Sequence, residues 1–132
     1  MVRGKHRLAH HVAEDPIAAA IKRAEAATTG KILVTLASHT GPDILPAAYK
    51  AFVRLEMHRA GKRNSVLFFV APERREFAVV GDAAIHDALG QRFWDELALA
   101  MSEKIRSTDL TQGLVFGIER VGRELATHFP NS

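Results

Sequence analysis

The sequence predicts a three-layer α/β/α sandwich on a small mixed sheet, and three observations lead to it. Short apolar runs alternate with amphipathic helical segments along the 132 residues. Two of these runs are apolar almost throughout and are separated by a helix, which is typical of parallel strands covered on both faces. A third run follows a turn too short for a crossover, so it is expected to be antiparallel. A fourth strand could extend the same sheet.

Residues 1–13 are predicted to form a flexible basic arm ahead of a single domain over 14–130. Arg3, Lys5 and Arg7 come before the first acid, and apolar residues show no periodicity there. A solvated tail is the favoured interpretation, and an arm that contacts acidic partners is the alternative. The chain has no Cys and no apolar stretch typical of a signal peptide or a membrane span. These features predict a soluble, cytoplasmic protein.

The first helix is expected to begin at Asp15, a good N-cap residue, with Pro16 in the first helical position. Gly30 can take a positive φ and marks the end of this segment. The apolar run 31–38 then forms a strand that is expected to be covered on both faces.

A second helix is predicted over 43–60, with Asp43 as its cap and a buried stripe that contains Ala48, Phe52 and Leu55. The next strand, SVLFFVA, is expected to pair in parallel with the first and to bury Phe68 and Phe69 on opposite faces. The charged turn PERR then returns the chain as an antiparallel strand, EFAVV.

The remainder is predicted to be helical. A short helix, DAAIHDALG, precedes a longer one whose apolar face contains Trp94 and Met101. The sequence DLTQ has the form of a capping box and opens the last helix. Gly113 and Gly117 lie one turn apart there, which would allow close packing against a neighbouring helix.

The predicted topology brings three polar segments to one edge of the sheet. The two parallel strands begin after Thr29, Gly30 and Lys31 and after Arg63 and Asn64, and the antiparallel strand ends there at Gly81 and Asp82. Oxygen atoms of Asn and Asp suit Ca²⁺ or Mg²⁺, so Asn64 and Asp82 are weak candidate ligands. The alternative is that they are turn and cap residues.

Other sites are not indicated. The chain has no phosphate-binding P-loop, no dinucleotide-binding glycine motif, no nucleophile elbow and no HExxH zinc motif. The basic stretch HRAGKR, residues 58–63, has no aromatic neighbours, so a solvated loop is favoured over nucleic-acid binding.

The chain resembles the TPM-domain family over about residues 15–130. The resemblance lies in the order and spacing of several stretches. They are TTGKILV, RLEMHRAGKRNSVLFFV, VVGDAAIHDALG, FWDEL and QGLVFGIERVGRELATHFP.

The resemblance implies an α/β/α sandwich and a family with a phosphatase label, divalent-cation associations and, in plants, a link to photosystem II repair. Some members are membrane-anchored, and this chain is similar to the soluble, stand-alone bacterial subtype. The family's polar edge corresponds here to Gly30, Lys31, Asn64, Gly81 and Asp82.

Three positions of this chain depart from the family pattern. Lys31 stands where an acid is usual, and Ser65 and Ala84 stand where glycine is usual. We therefore expect Lys31 to form a salt bridge with Asp82 in place of a metal ion, and Ca²⁺ or Mg²⁺ to bind weakly if at all.

Two functions follow as hypotheses. The first is a binding or accessory module for a protein partner, for example a membrane-anchored TPM protein. The alternative is a phosphatase-like hydrolase, dependent on a divalent cation, in which Asp82 would act as ligand or base and Lys31 or Arg63 would stabilise phosphate.

Overall fold

The computed structural model describes residues 2–5, 12–38, 40–59 and 61–131. Within these residues the chain forms four strands and five α-helices. The strands are β1 (Val2–Lys5), β2 (Ile32–Leu36), β3 (Val66–Ala71) and β4 (Glu76–Gly81). The helices are α1 (Glu14–Glu25), α2 (Ile44–Arg54), α3 (Ala83–Leu89), α4 (Gln91–Ser107) and α5 (Leu110–His128). None of these helices has the length and apolar character needed to cross a bilayer.

The strands form one mixed sheet in the order β1-β4-β3-β2. β2 and β3 are parallel, whereas β4 is antiparallel to both of its neighbours, β3 and β1. These directions confirm the predicted mixed sheet, and β1 is its fourth strand. All residues of β3 are buried, as expected of an apolar strand with a neighbour on each side.

One face of the sheet is covered by α1, α4 and α5, which enclose the larger core. The last helix approaches α4 closely through its glycines. A Cβ at Gly113 would lie 2.1 Å from Ile105 Cγ1, and one at Gly117 would lie 2.6 Å from Met101 Sδ. The predicted close packing is therefore confirmed, and any larger residue at either glycine would push α5 away from α4.

The opposite face of the sheet packs against α2 around a smaller core that includes Ala48, Phe52 and Leu67. Phe68 belongs to the larger core and Phe69 to the smaller one, and both are buried. The predicted burial of these two side chains on opposite faces is therefore confirmed, and with it the three-layer arrangement.

The start of α1 differs from the prediction. The helix begins at Glu14, with Ala13 and not Asp15 in the N-cap position. Ala13 donates its backbone N–H to Thr111 Oγ1 at the start of α5, at 2.9 Å. A contact between distant parts of the chain thus replaces the local cap that the sequence suggests.

The end of α2 also differs. The helix stops at Arg54, well before residue 60. Glu56 has a φ of 59°, a left-handed conformation that a right-handed helix cannot contain. Leu55, predicted to be buried, therefore lies past the last helical residue and is 41% exposed.

Two predictions about the strands are wrong in part. β2 is at the edge of the sheet, and Leu33 and Leu36 are exposed instead of covered. Val2–Lys5 of the predicted flexible arm form β1, which pairs antiparallel with β4. Residues 6–11 of the predicted arm lie outside the described residues.

Candidate functional site

The strand register brings the three predicted polar segments together. Ile32 lies beside Val66, and Val66 lies beside Gly81, in one row across the sheet. The residues that precede β2 and β3 therefore adjoin the residue that follows β4. Asp82 donates its backbone N–H to Ser65 O at 2.9 Å, which fixes this contact.

Arg63 and Asp82 form the central contact of this edge. Arg63 Nε donates to Asp82 Oδ2 and Arg63 Nη2 donates to Asp82 Oδ1, each at 2.8 Å. This two-bond geometry is the strong form of an arginine–carboxylate pair. The Asp82 side chain is 3% exposed and that of Arg63 is 51% exposed. The arginine therefore covers the carboxylate and presents its own outer side to solvent.

The backbone around this pair explains why arginine and not Lys31 reaches the carboxylate. Arg63 has a φ of 54°, and its carbonyl accepts the N–H of Ala84 at 3.0 Å. This turn holds Arg63 directly against the start of α3. The predicted salt bridge between Lys31 and Asp82 is therefore wrong: both oxygens of Asp82 accept from Arg63, and Lys31 is exposed.

Asp82 is also the N-cap of α3. Its Oδ1 accepts the backbone N–H of Ala83 at 2.7 Å. Hydrogen bonding to Asp82, followed by the charge of Asp82, raises the pKa of Arg63. The guanidinium therefore stays charged at physiological pH.

Asn64 and Thr29 form a second, separate contact. Asn64 Nδ2 donates to Thr29 Oγ1 at 3.1 Å, and Asn64 is buried. The neighbouring Thr28 donates its hydroxyl to Leu125 O at 3.1 Å and accepts the N–H of Gly30 at 3.0 Å. These bonds tie the start of β2 to the end of α5.

The two glycines of the edge are required by packing. A Cβ at Gly30 would lie 2.8 Å from Leu125 Cδ2, and a Cβ at Gly81 would lie 2.7 Å from Trp94 Cζ2. Both distances are too short for an undisturbed structure. Gly30 and Gly81 therefore allow the helices to approach the sheet at this end.

The order of these segments also appears in known proteins. A family model of the TPM domain matches residues 11–124. This chain belongs to the TPM-domain family. The NMR structure of BA42 protein from the psychrophilic bacterium Bizionia argentinensis sp. nov. is 37% identical in sequence, with a TM-score of 0.81. The match covers 89% of this chain and 81% of the BA42 chain. No curated protein matches the sequence.

The two weak candidate ligands of the polar edge, Asn64 and Asp82, both have hydrogen-bonding partners in this TPM domain. Calcium and magnesium bind oxygen ligands, and carboxylates supply the negative charge. Both oxygens of Asp82 accept hydrogen bonds from Arg63, whose positive charge opposes a cation there, and the amide nitrogen of Asn64 donates to Thr29. Among the described residues, no group of three or more His, Cys, Asp and Glu side chains is placed to hold a metal.

The TPM domain also has a surface depression that the sequence did not predict. A depression of about 390 Å³ lies between α2 and the end of β2, where Leu36, Phe69, Lys50 and Arg54 contribute to its lining. Lys50 and Arg54 are four residues apart on α2 and so share one side of the helix. This spacing is visible in the sequence. The two cations adjoin an exposed part of β2, whereas the sequence predicts that this strand is covered on both faces.

Proposed function

We propose that this TPM domain is a binding or accessory module and not a metal-dependent hydrolase. The observation that carries the proposal is the pairing of both Asp82 oxygens with Arg63. A general base or a metal ligand must offer a lone pair to the reacting water or ion. At Asp82 a reacting water or an ion would have to compete with the guanidinium of Arg63, which already contacts both oxygens of a nearly buried carboxylate.

The outer side of Arg63 is the surface that the module would offer to a partner. Two of the five N–H donors of a guanidinium are used on Asp82. The side chain is held in one orientation yet is about half exposed, and exposed Lys31 precedes the adjoining strand. Such a fixed cation suits a carboxylate or phosphate group on a protein partner. By the family resemblance, a membrane-anchored TPM protein is the first partner to examine.

A comparison of Arg63→Asn with the unchanged protein tests the binding role. Asparagine tolerates the left-handed φ of residue 63 but cannot make the two-bond contact. We expect a partner that co-purifies with the unchanged protein to be lost in Arg63→Asn, while the amide spectrum outside the polar edge is retained. Equal retention by both proteins would contradict a role for this edge.

The hydrolase alternative, which the family's phosphatase label suggests, is tested in parallel. Turnover of a generic phosphomonoester is measured with added Ca²⁺ or Mg²⁺ for the unchanged protein and for Asp82→Asn. We expect both to match a protein-free control. Metal-dependent turnover that disappears in a folded Asp82→Asn variant would overturn the proposal and support the hydrolase.

A further inference from the structure

Among the described residues, β2 has a neighbouring strand on one side only, because it is the last strand in the order β1-β4-β3-β2. The carbonyl of Lys31, just before β2, accepts a hydrogen bond from the N–H of Val66 in β3, and Ala37, just after β2, donates its N–H to Val70 O. Backbone groups alternate in direction along a strand, so the N–H and C=O groups of the odd-numbered residues of β2 point toward β3. The N–H and C=O groups of Ile32, Val34 and Leu36 therefore face away from the sheet.

The N–H of Ile32 is already bonded. Glu25, at the end of α1, accepts it through Oε2 at 2.8 Å. The outward groups of Val34 and Leu36 lie further along the strand. They form a short row of donors and acceptors that begins where the Glu25 contact ends.

The edge of β2 lacks the usual protection against pairing. Natural edge strands are commonly blunted by charged residues, proline or a bulge. β2 has the sequence ILVTL, without proline, glycine or charge, and pairs regularly with β3 along its whole length. Leu33 is 40% exposed and Leu36 is 54% exposed. This edge is therefore suited to receive another strand.

The charges at the end of β2, beyond the Glu25 contact, are positive. Lys50 and Arg54 help to line the depression at the end of the strand, next to Leu36, and exposed Lys31 precedes its start. An incoming strand would thus meet Lys50 and Arg54 near the end of β2, whereas Glu25 and Lys31 lie near its start. A second copy of this chain would bring its own Lys50 and Arg54 to the same place, and like charges would oppose that pairing. The charge pattern favours an acidic strand.

We propose that β2 binds an extended acidic segment of a partner protein by strand addition. The main-chain groups of Val34 and Leu36 would supply the backbone hydrogen bonds. Lys50 and Arg54 would select acidic side chains over neutral or basic ones. The inference rests on the proposed role as a binding module, but it uses a surface separate from the Arg63–Asp82 pair.

The test uses a short peptide of alternating valine and glutamate, blocked at both ends, and the same peptide with lysine in place of glutamate. Binding is followed by backbone amide shifts of the isotope-labelled protein. We expect the acidic peptide to shift the amides of Val34 and Leu36, and the basic peptide to leave them unchanged.

Two variants separate the backbone contribution from the charge contribution. Leu36→Pro removes one outward N–H without breaking the β2–β3 ladder, since proline is tolerated on the free side of an edge strand. Leu36→Ala is its control for loss of the side chain. Arg54→Glu reverses a charge at the depression, and Arg123→Glu makes the same change on α5, in the other helical layer. We expect Leu36→Pro and Arg54→Glu each to weaken binding about tenfold or more, and both controls to have smaller effects.

The proposal is overturned by any of three results. These are no binding of the acidic peptide, equal affinity for the basic peptide, or unchanged affinity in a folded Leu36→Pro variant. Sedimentation that shows a dimer broken by Leu36→Pro would assign the edge to a second copy and also overturn it. If the peptide fails while a partner is still lost in Arg63→Asn, the strand-addition inference alone is wrong. Metal-dependent phosphatase turnover would instead remove the proposed function itself.

Discussion

At the scale of single residues, the largest difference between prediction and structure is that Arg63, and not Lys31, pairs with Asp82. The convergence of Arg63, Lys31 and Asp82 follows from strand directions, and these can be predicted from apolar runs and loop lengths. The partner of Asp82 cannot be predicted in this way, because it depends on the left-handed turn at Arg63 and on the contact with Ala84. The sequence therefore locates the edge but not its central bond.

The first prediction at this scale concerns calcium. We expect no saturable Ca²⁺ binding by the unchanged protein, since the guanidinium of Arg63 already neutralises Asp82. The double variant Lys31→Glu with Arg63→Asn should bind Ca²⁺ at roughly millimolar concentration, as weak carboxylate sites do. Calorimetry and amide shifts measure the change, and adding Asp82→Asn should abolish it. Tight binding by the unchanged protein centred on Asn64 and Asp82 would contradict this account.

The second residue-scale prediction concerns Gly81. Gly81→Ala places a methyl group 2.7 Å from the ring of the fully buried Trp94. We expect the free energy of unfolding to fall by about 1–3 kcal/mol, the usual effect of overpacking. Gly61→Ala is the matched control, because a Cβ at Gly61 has nothing within 4 Å. Urea unfolding of both variants measures the difference, and equal stability would show that Trp94 moves freely.

At the scale of elements, the apolar runs define the strands and helices well but not all of their ends. β3 is identified correctly because six consecutive apolar residues leave no polar face. The N-terminus of α5 is also correct, since Asp109 Oδ1 accepts the N–H of Gln112 at 2.8 Å, as its capping sequence indicates. The start of α1 is missed because its N-cap N–H is bonded to Thr111, a residue far away in the chain.

The element-scale prediction concerns β3. Phe68 is 1% exposed and packs into the core under α4 and α5. Phe68→Ala should lower the free energy of unfolding by about 3–5 kcal/mol, the range for a core phenylalanine. Leu99→Ala, on the exposed side of α4 at 73% exposure, should change it by less than about 0.5 kcal/mol. Chemical unfolding of both variants provides the measurement, and a small effect at Phe68 would contradict its central position.

At the scale of the whole molecule, the sandwich is predictable and the edges of its sheet are not. Two apolar strands and a hairpin define the layers, whereas strand order depends on pairing across the complete fold. β1 has the sequence VRGK, which shows no apolar alternation. Its pairing with β4 makes β1, and not β4, the edge strand at the end of the sheet opposite β2.

The whole-molecule prediction concerns removal of residues 1–5. The pairing of β1 with β4 covers four residues of each strand, and its loss would expose the edge of β4. We expect the shortened protein to fold but to melt several degrees lower, since a loss of about 1 kcal/mol lowers Tm by roughly 3–6 °C at this size. An unchanged Tm by calorimetry would support the flexible arm that the sequence suggests.

The hydrogen bonds of the Thr28 hydroxyl should affect local unfolding of the protein. It joins the carbonyls of Leu125 and Phe129 to the N–H of Gly30, and Thr29 donates its N–H to Phe129 O at 3.1 Å. The last turn of α5 and the strand entrance should therefore fluctuate as one cooperative unit. Amide hydrogen exchange at Gly30 and Phe129 should then have a common opening free energy, and Thr28→Val should accelerate both together. Independent exchange rates at these two positions would show that the two chain segments open separately.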